Sequence, residues 1–251
     1  MTPTMFGFQQ RASRALSALA IALWLAAPSA RAEAPITVKG GETVTISGVR
    51  SILIRAPHPK GSVILLTGGD GRLEVGSGAR FGKAGDNVLI RNRDAFVAQG
   101  YNVLLAELGT NLSAAVDHMA AIKRPVIVIA TSKGTQRAAE GLVEGAMPDR
   151  LVLTSGFLSK ASGPDDTVQS ILGTPNRLPR TLALHHREDR CRWTQPAGVA
   201  PFQAWAGGRA HIEWMSGGNA DEANPCRSSA HHGFAGQDEE FVARIVKFMM
   251  R

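Results

Sequence analysis

Two cysteines among 251 residues are too few to build a disulfide-stapled scaffold. A single tyrosine leaves little of the aromatic platform on which single-stranded nucleic acids and sugars stack. There is no internal repeat and no low-complexity stretch. With 44% hydrophobic and 20% charged residues, the chain is not disordered, collagen-like or coiled-coil. What is plentiful is turn chemistry, with 27 glycines and 13 prolines. Positive charge also stands out: 28 basic against 21 acidic residues give +7, which by itself would suggest a nucleic-acid or membrane-surface partner.

That charge is unevenly placed. Arg11 and Arg14 precede an uncharged apolar run, Ala15–Ala27, which Pro28 ends. Ala30-Arg31-Ala32 puts small residues where a signal peptidase reads them, so residues 1–32 are expected to be a signal peptide cleaved before Glu33. The run falls short of the roughly 20 residues that span a bilayer, so no stable membrane span is expected after cleavage. An uncleaved anchor is the competing reading. Removing residues 1–32 takes three arginines and no acid. The remaining 219 residues then hold 25 basic and 21 acidic side chains, a net of +4, with no run of five Lys or Arg. Nucleic-acid binding loses its support.

Export to the periplasm or beyond makes a Cys191–Cys226 disulfide the simplest use of both cysteines. It would close a loop of roughly 35 residues, a constraint of about 3–4 kcal/mol on the unfolded chain. A zinc site is the alternative, since His185, His186, His231 and His232 lie near the cysteines, but the CxxC and HxxxH spacings are absent. No metal or other cofactor is expected.

Alternation predicts short strands at Ile36–Val38, Thr43–Ile46 and Ser51–Arg55. Ser62–Thr67 and Pro125–Ala130 are continuous apolar runs, the pattern of strands buried on both faces. Tyr101–Ala106, Leu151–Thr154, Thr181–His185 and His211–Met215 add further strands. Helices are expected over 86–99 with Asp86 as its cap, over Ser113–Ile122, over 132–143 and over Asp238–Met250. Residues 68–85 form a Gly-rich loop. Residues 156–180 are too irregular for an element and could cap the carboxyl ends of the strands. Alternating strands and helices predict an α/β fold with a mostly parallel central sheet and helices on both faces, in one domain from residue 33 to 251.

The strongest local signal is the run from Ile127 to Thr135, IVIATSKGT. A buried strand enters a small-x-Ser-x-Gly turn and a helix follows at once, the context of a nucleophile elbow at Ser132. Gly134 meets the demand for a small residue, while Ala130 stands where Gly is usual. The plainer alternative is that Ser132 only caps the helix. Asp189 follows a strand end in His185-His186-Arg187-Glu188-Asp189, and His232 precedes the last helix in His231-His232-Gly233-Phe234. The order Ser, acid, His supplies a nucleophile, a carboxylate that orients a base, and the base itself. Glu188, Asp165, Asp166 and Asp221 remain open as the acid, and His231 as the base.

With these residues in place, the sequence from about Ser51 to Met250 resembles the α/β-hydrolase family. Its His-Gly-Phe at His232 is similar to that of dienelactone-hydrolase-like members. The resemblance implies an α/β-hydrolase fold and hydrolysis of a small acyl compound through an acyl-enzyme on Ser132. In that scheme His232 is general base and then acid, and Asp189 orients it. An oxyanion hole needs two backbone N–H groups. Lys133 should supply one, and Gly69 or Asp70 the other, from Thr67-Gly68-Gly69-Asp70-Gly71, which looks like the family's His-Gly-Gly-Gly loop with Thr in place of His. A non-catalytic binding protein of the same fold and an acyltransferase with the same nucleophile stay open. Two phosphate motifs fail: Gly82-Lys83 lacks an upstream glycine and a following Ser or Thr, and Gly69-Asp70-Gly71 lacks a third glycine at Glu74.

Overall fold

A computed structural model of the chain describes Met1, residues 34–221 and residues 223–251. The expected signal peptide and its cleavage point before Glu33 lie, apart from Met1, outside the described residues. In chain order the elements are β1 Ile36–Thr37, β2 Gly41–Ile46, β3 Val49–Ile54, β4 Gly61–Leu66 and β5 Arg80–Phe81. They continue as α1 Val88–Arg91, α2 Arg93–Ala98, β6 Tyr101–Leu105, α3 Leu112–Ile122, β7 Val126–Thr131 and α4 Gly134–Val143. The chain ends with β8 Arg150–Thr154, α5 Val168–Leu172, β9 Arg180–His186, α6 Val199–Ala206, β10 Ala210–Met215 and α7 Asp238–Met249.

Eight strands form one sheet in the order β10-β9-β8-β7-β4-β6-β3-β2. The β2–β3 and β3–β6 pairs are antiparallel, and all other pairs are parallel. The mostly parallel α/β sheet expected from the sequence is therefore present, with its antiparallel strands at one edge. Every residue of β4, β6 and β7 is buried, which is why those segments read as unbroken apolar runs.

Period-2 alternation divides their side chains between two cores. Val63, Leu65, Ile127 and Ile129 pack with residues of α1, α2 and α7, including Leu89, Phe96, Phe241 and Ile245. Ile64, Leu66, Val128 and Ala130 pack on the opposite face with residues of α3, α4 and α6, including Met119, Ala138, Leu142 and Phe202. Each Val, Leu, Ile, Met or Phe among them contributes on the order of 1.5–3 kcal/mol by leaving water.

The topology places the site. After β4 the chain builds β6 on one side, then crosses back to build β7 on the other. Neighbouring strands whose connections leave in opposite directions open a crevice at their carboxyl ends. The Thr67–Gly69 loop leaves β4 there, and Ser132 leaves β7 beside it.

Several local expectations are corrected. The helix over 86–99 is two helices broken at Asn92, whose Nδ2 donates back to the Val88 carbonyl at 2.9 Å and to Asp238 at 3.1 Å. Its cap is Asn87, which accepts the Leu89 N–H at 3.0 Å, and not Asp86. The helix after Ser132 begins at Gly134. Residues 68–85 contain β5, which pairs with β1. Residues 156–180 contain α5, capped by Thr167 in a reciprocal box with Ser170. Helix α6 lies in a stretch where no helix is expected from the sequence. Pro201 sits in its first turn, where the missing N–H costs nothing.

Gly141 lets α4 cross α3. A Cβ there would lie 2.5 Å from Leu112 Cδ2 and 2.7 Å from its Cβ. Two effects oppose in Gly141→Ala: helix propensity favours alanine by about 1 kcal/mol, and overpacking against an inflexible Cβ costs about 1–3 kcal/mol. The clash should win, lowering the urea midpoint at unchanged m. A raised midpoint would show that the helices separate freely.

Candidate active site

Ser132 has a left-handed backbone with φ of 52°, uncommon for a residue with a side chain. Two close approaches impose it. A Cβ on Gly134 would lie 2.2 Å from the Leu66 carbonyl oxygen, so only glycine lets the start of α4 pass the end of β4. A Cβ on Gly68 would lie 2.8 Å from Ser132 Cβ. The turn is fixed by Ser132 N–H donating to the Thr154 carbonyl at 3.0 Å, and by the Thr135 hydroxyl donating to the Ser132 carbonyl at 2.7 Å. The side chain of Ser132 is therefore not spent on capping α4: the helix has no side-chain cap.

Asp189 lies in the turn after β9 and is buried. Its Oδ1 accepts the Cys191 N–H at 2.8 Å. Its Oδ2 lies 3.1 Å from His232 Nδ1 and accepts the Thr194 hydroxyl at 3.3 Å. Thr194 Oγ1 also lies 3.0 Å from His232 Nδ1. With the Thr194 proton directed to Asp189, the only arrangement that satisfies all three groups puts a proton on Nδ1, shared between Asp189 and Thr194. Nε2 is then the nitrogen free to take a proton. Glu188 points elsewhere, 3.1 Å from His186 Nδ1, and His231 stacks on the His186 ring with centroids 4.5 Å apart.

Three further ties hold the His232 segment. The Ser155 hydroxyl, at the end of β8, donates to the His232 carbonyl at 2.8 Å. A disulfide joins Cys191 to Cys226 with Cα atoms 4.7 Å apart. Arg91 of α1 donates to the Gly233 carbonyl at 2.8 Å while its guanidinium grips Asp238 at 2.7 Å. Thr194, Ser155 and Arg91 were not singled out in the sequence. Thr194 is five residues past Asp189, in a loop with no period to mark it.

Ser132 and His232 line one cavity of about 310 Å³ together with Gly68, Gly69 and Asp70. No hydrogen bond joins Ser132 to His232 among the described residues. The N–H groups of Gly69, Asp70 and Lys133 donate to no protein acceptor among the described residues. The loop bearing Gly69 is braced from below by the half-buried Arg137, whose guanidinium donates to the Thr67 carbonyl. Glu107 braces it from the side, accepting the Leu73 and Val75 N–H groups at 2.9 Å each.

His185 is completely buried, and burial pushes its pKa down, outweighing the attraction of Asp189. It stays neutral near the site and leaves the Asp189 charge to His232. Burial, reinforced by His231, lowers His186 likewise.

No protein-family model matches the sequence, and no curated protein matches it. Solved structures match in fold. An esterase of Pyrococcus furiosus is 15% identical over 84% of this chain and 90% of its own, at a TM-score of 0.58. An esterase of Exiguobacterium antarcticum is 12% identical over 84% of this chain and 100% of its own, at 0.56. A Xanthomonas campestris protein described as an α/β serine hydrolase without a lid is 12% identical over 84% and 97%, at 0.53.

Burial alone would favour a neutral Asp238. Hydrogen bonds from Arg91 and Asn92, together with the guanidinium charge, hold its carboxyl below the ordinary 3.8. A depressed folded-state pKa means the unfolded chain binds the proton first. The contribution is complete above the unfolded value and is lost as pH falls through the folded one. The melting temperature should fall more steeply below about pH 4 in the natural chain than in Asp238→Asn. Parallel slopes would show that Arg91 holds the His232 turn without help from Asp238.

Proposed function

We propose that this chain, which has the α/β-hydrolase fold of those structures, is an exported serine hydrolase cleaving an ester or other small acyl compound. The observation that carries the reading is the buried Asp189–His232 contact at 3.1 Å, with His232 lining the same cavity as a left-handed Ser132.

Ser132 Oγ attacks the acyl carbon and its proton passes to His232 Nε2. The substrate brings the two together, as apo sites often require. Asp189, assisted by Thr194, holds the imidazole by Nδ1 and stabilises its charged form. The N–H of Lys133 and that of Gly69 or Asp70 receive the negative charge that develops on the carbonyl oxygen. His232 returns the proton to the departing oxygen as its bond to carbon breaks. It then takes a proton from water as that oxygen attacks the acyl carbon; the bond from carbon to Ser132 Oγ breaks, the acid leaves, and His232 returns the proton to Oγ. Export is supported by the signal-like residues 1–32 and by a disulfide suited to an oxidising compartment.

A fluorophosphonate probe tests the nucleophile. One adduct per chain should form on Ser132, and Ser132→Ala should abolish it while lowering turnover by about 10⁴-fold or more. Folded protein that takes no label would overturn the reading.

Thr194 acts as a positioning residue for His232. Thr194→Val should lower kcat/KM about tenfold, as expected for one hydrogen bond to a charged group, and should shift the acidic limb of its pH profile. Thr194→Ser should restore both. A loss that Ser fails to rescue, with an unmoved pH profile, would reduce Thr194 to packing.

A further inference from the structure

We propose that the substrate is an ester joining an apolar acyl chain to a small hydroxylated alcohol, an inference that rests on the serine-hydrolase reading above. Ser132 borders two cavities, one of about 310 Å³ and one of about 580 Å³. His232 lines only the smaller.

Reaction chemistry then assigns the two sides. When the bond from acyl carbon to leaving oxygen breaks, that oxygen takes the proton held on His232 Nε2. The departing alcohol therefore occupies the cavity that contains His232. The acyl carbon stays bonded to Ser132 Oγ, so the acyl chain extends into the other.

The two cavities differ in chemistry. The smaller is bordered by Arg72, Lys83, Asp86, Asn87, Arg227 and Ser228. An apolar alcohol there would strip water from charged groups without replacing its hydrogen bonds, whereas hydroxyls replace them. The larger is walled by Phe157, Trp193 and Cys191, while Cys226 borders both. Asp165 and Lys133 also border the larger, and Asp70 borders both cavities.

The wall residues are tied to their neighbours. Phe157 is buried, and its N–H donates to Thr135 Oγ1 at 3.1 Å. The Arg192 guanidinium covers the Trp193 ring at 4.3 Å. Gly163 passes so near that a Cβ there would lie 3.0 Å from Trp193 Cα. Trp193, half-buried on this wall, is the residue that sets acyl specificity.

A pair of isomeric esters tests the orientation. In 2-hydroxyethyl hexanoate the apolar chain is acyl and the hydroxyl lies on the alcohol. Hexyl glycolate reverses them. The natural chain should cleave the hexanoate with kcat/KM at least about tenfold higher. Trp193→Ala should lower the ratio of hexanoate to acetate turnover, measured on 2-hydroxyethyl esters, by about tenfold. Trp193→Phe should keep most of it and guards against misfolding of the alanine variant. Equal or faster cleavage of hexyl glycolate, or an unchanged ratio in Trp193→Ala, would overturn the proposal. So would a fluorophosphonate-reactive protein that cleaves neither ester. Failure to take the label at all would instead remove the serine-hydrolase reading beneath it.

Discussion

At Gly134 the first turn of α4 passes so close to the end of β4 that no side chain fits between them. The rest of the site depends on that contact. Because the helix must begin within two residues of β7, the chain turns through a left-handed Ser132 instead of drifting away through a loop. The seryl side chain is thereby left at the carboxyl end of the sheet, free of the helix it precedes. The cost of a positive φ, on the order of 1–3 kcal/mol, is sustained by flanking strands buried on both faces.

The opposite side of the cavity is held by a different kind of constraint. The segment bearing His232 has no regular structure beyond a single 3-10 turn. Its position comes from ties to separate elements: Asp189 and Thr194 after β9, Ser155 after β8, Arg91 of α1, and a disulfide back to the Asp189 turn. The sheet thus supplies one half of the site by close packing, and a polar network supplies the other. Hydrogen bonds to charged groups are directional, so a short irregular segment can still fix a ring orientation. The neutral, buried His185 keeps a competing positive charge away from Asp189.

Much of the fold was legible because burial on both faces of a parallel sheet writes itself as continuous apolar runs. Ser62–Thr67 and Pro125–Ala130 differ from β4 and β7 only at their ends. The closing helix was equally plain from Phe241, Val242, Ile245 and Val246, which share one face. Elements set by tertiary contact left no such trace. Asn92 breaks the helix after β5 because it reaches Asp238, 146 residues away. Helix α6 forms with Gly198 as its cap and Pro201 in its first turn, and its Phe202 and Ala206 complete the core beneath it.

The sequence by itself determined which residue types were available and in what order: a serine in a tight strand-to-helix turn, an acid after a later strand, a histidine before the last helix, and two cysteines with one way to pair. Local sterics and apolar periodicity are encoded by near neighbours, so those features can be read along the chain. Only the tertiary structure decided which acid meets which histidine. It alone brought Thr194 between Asp189 and His232, and it alone set Ser132 between a cavity that His232 lines and one walled by Phe157 and Trp193. Those relations depend on distances between residues dozens of positions apart, which are fixed by how the strands are ordered in the sheet and not by any pattern along the chain.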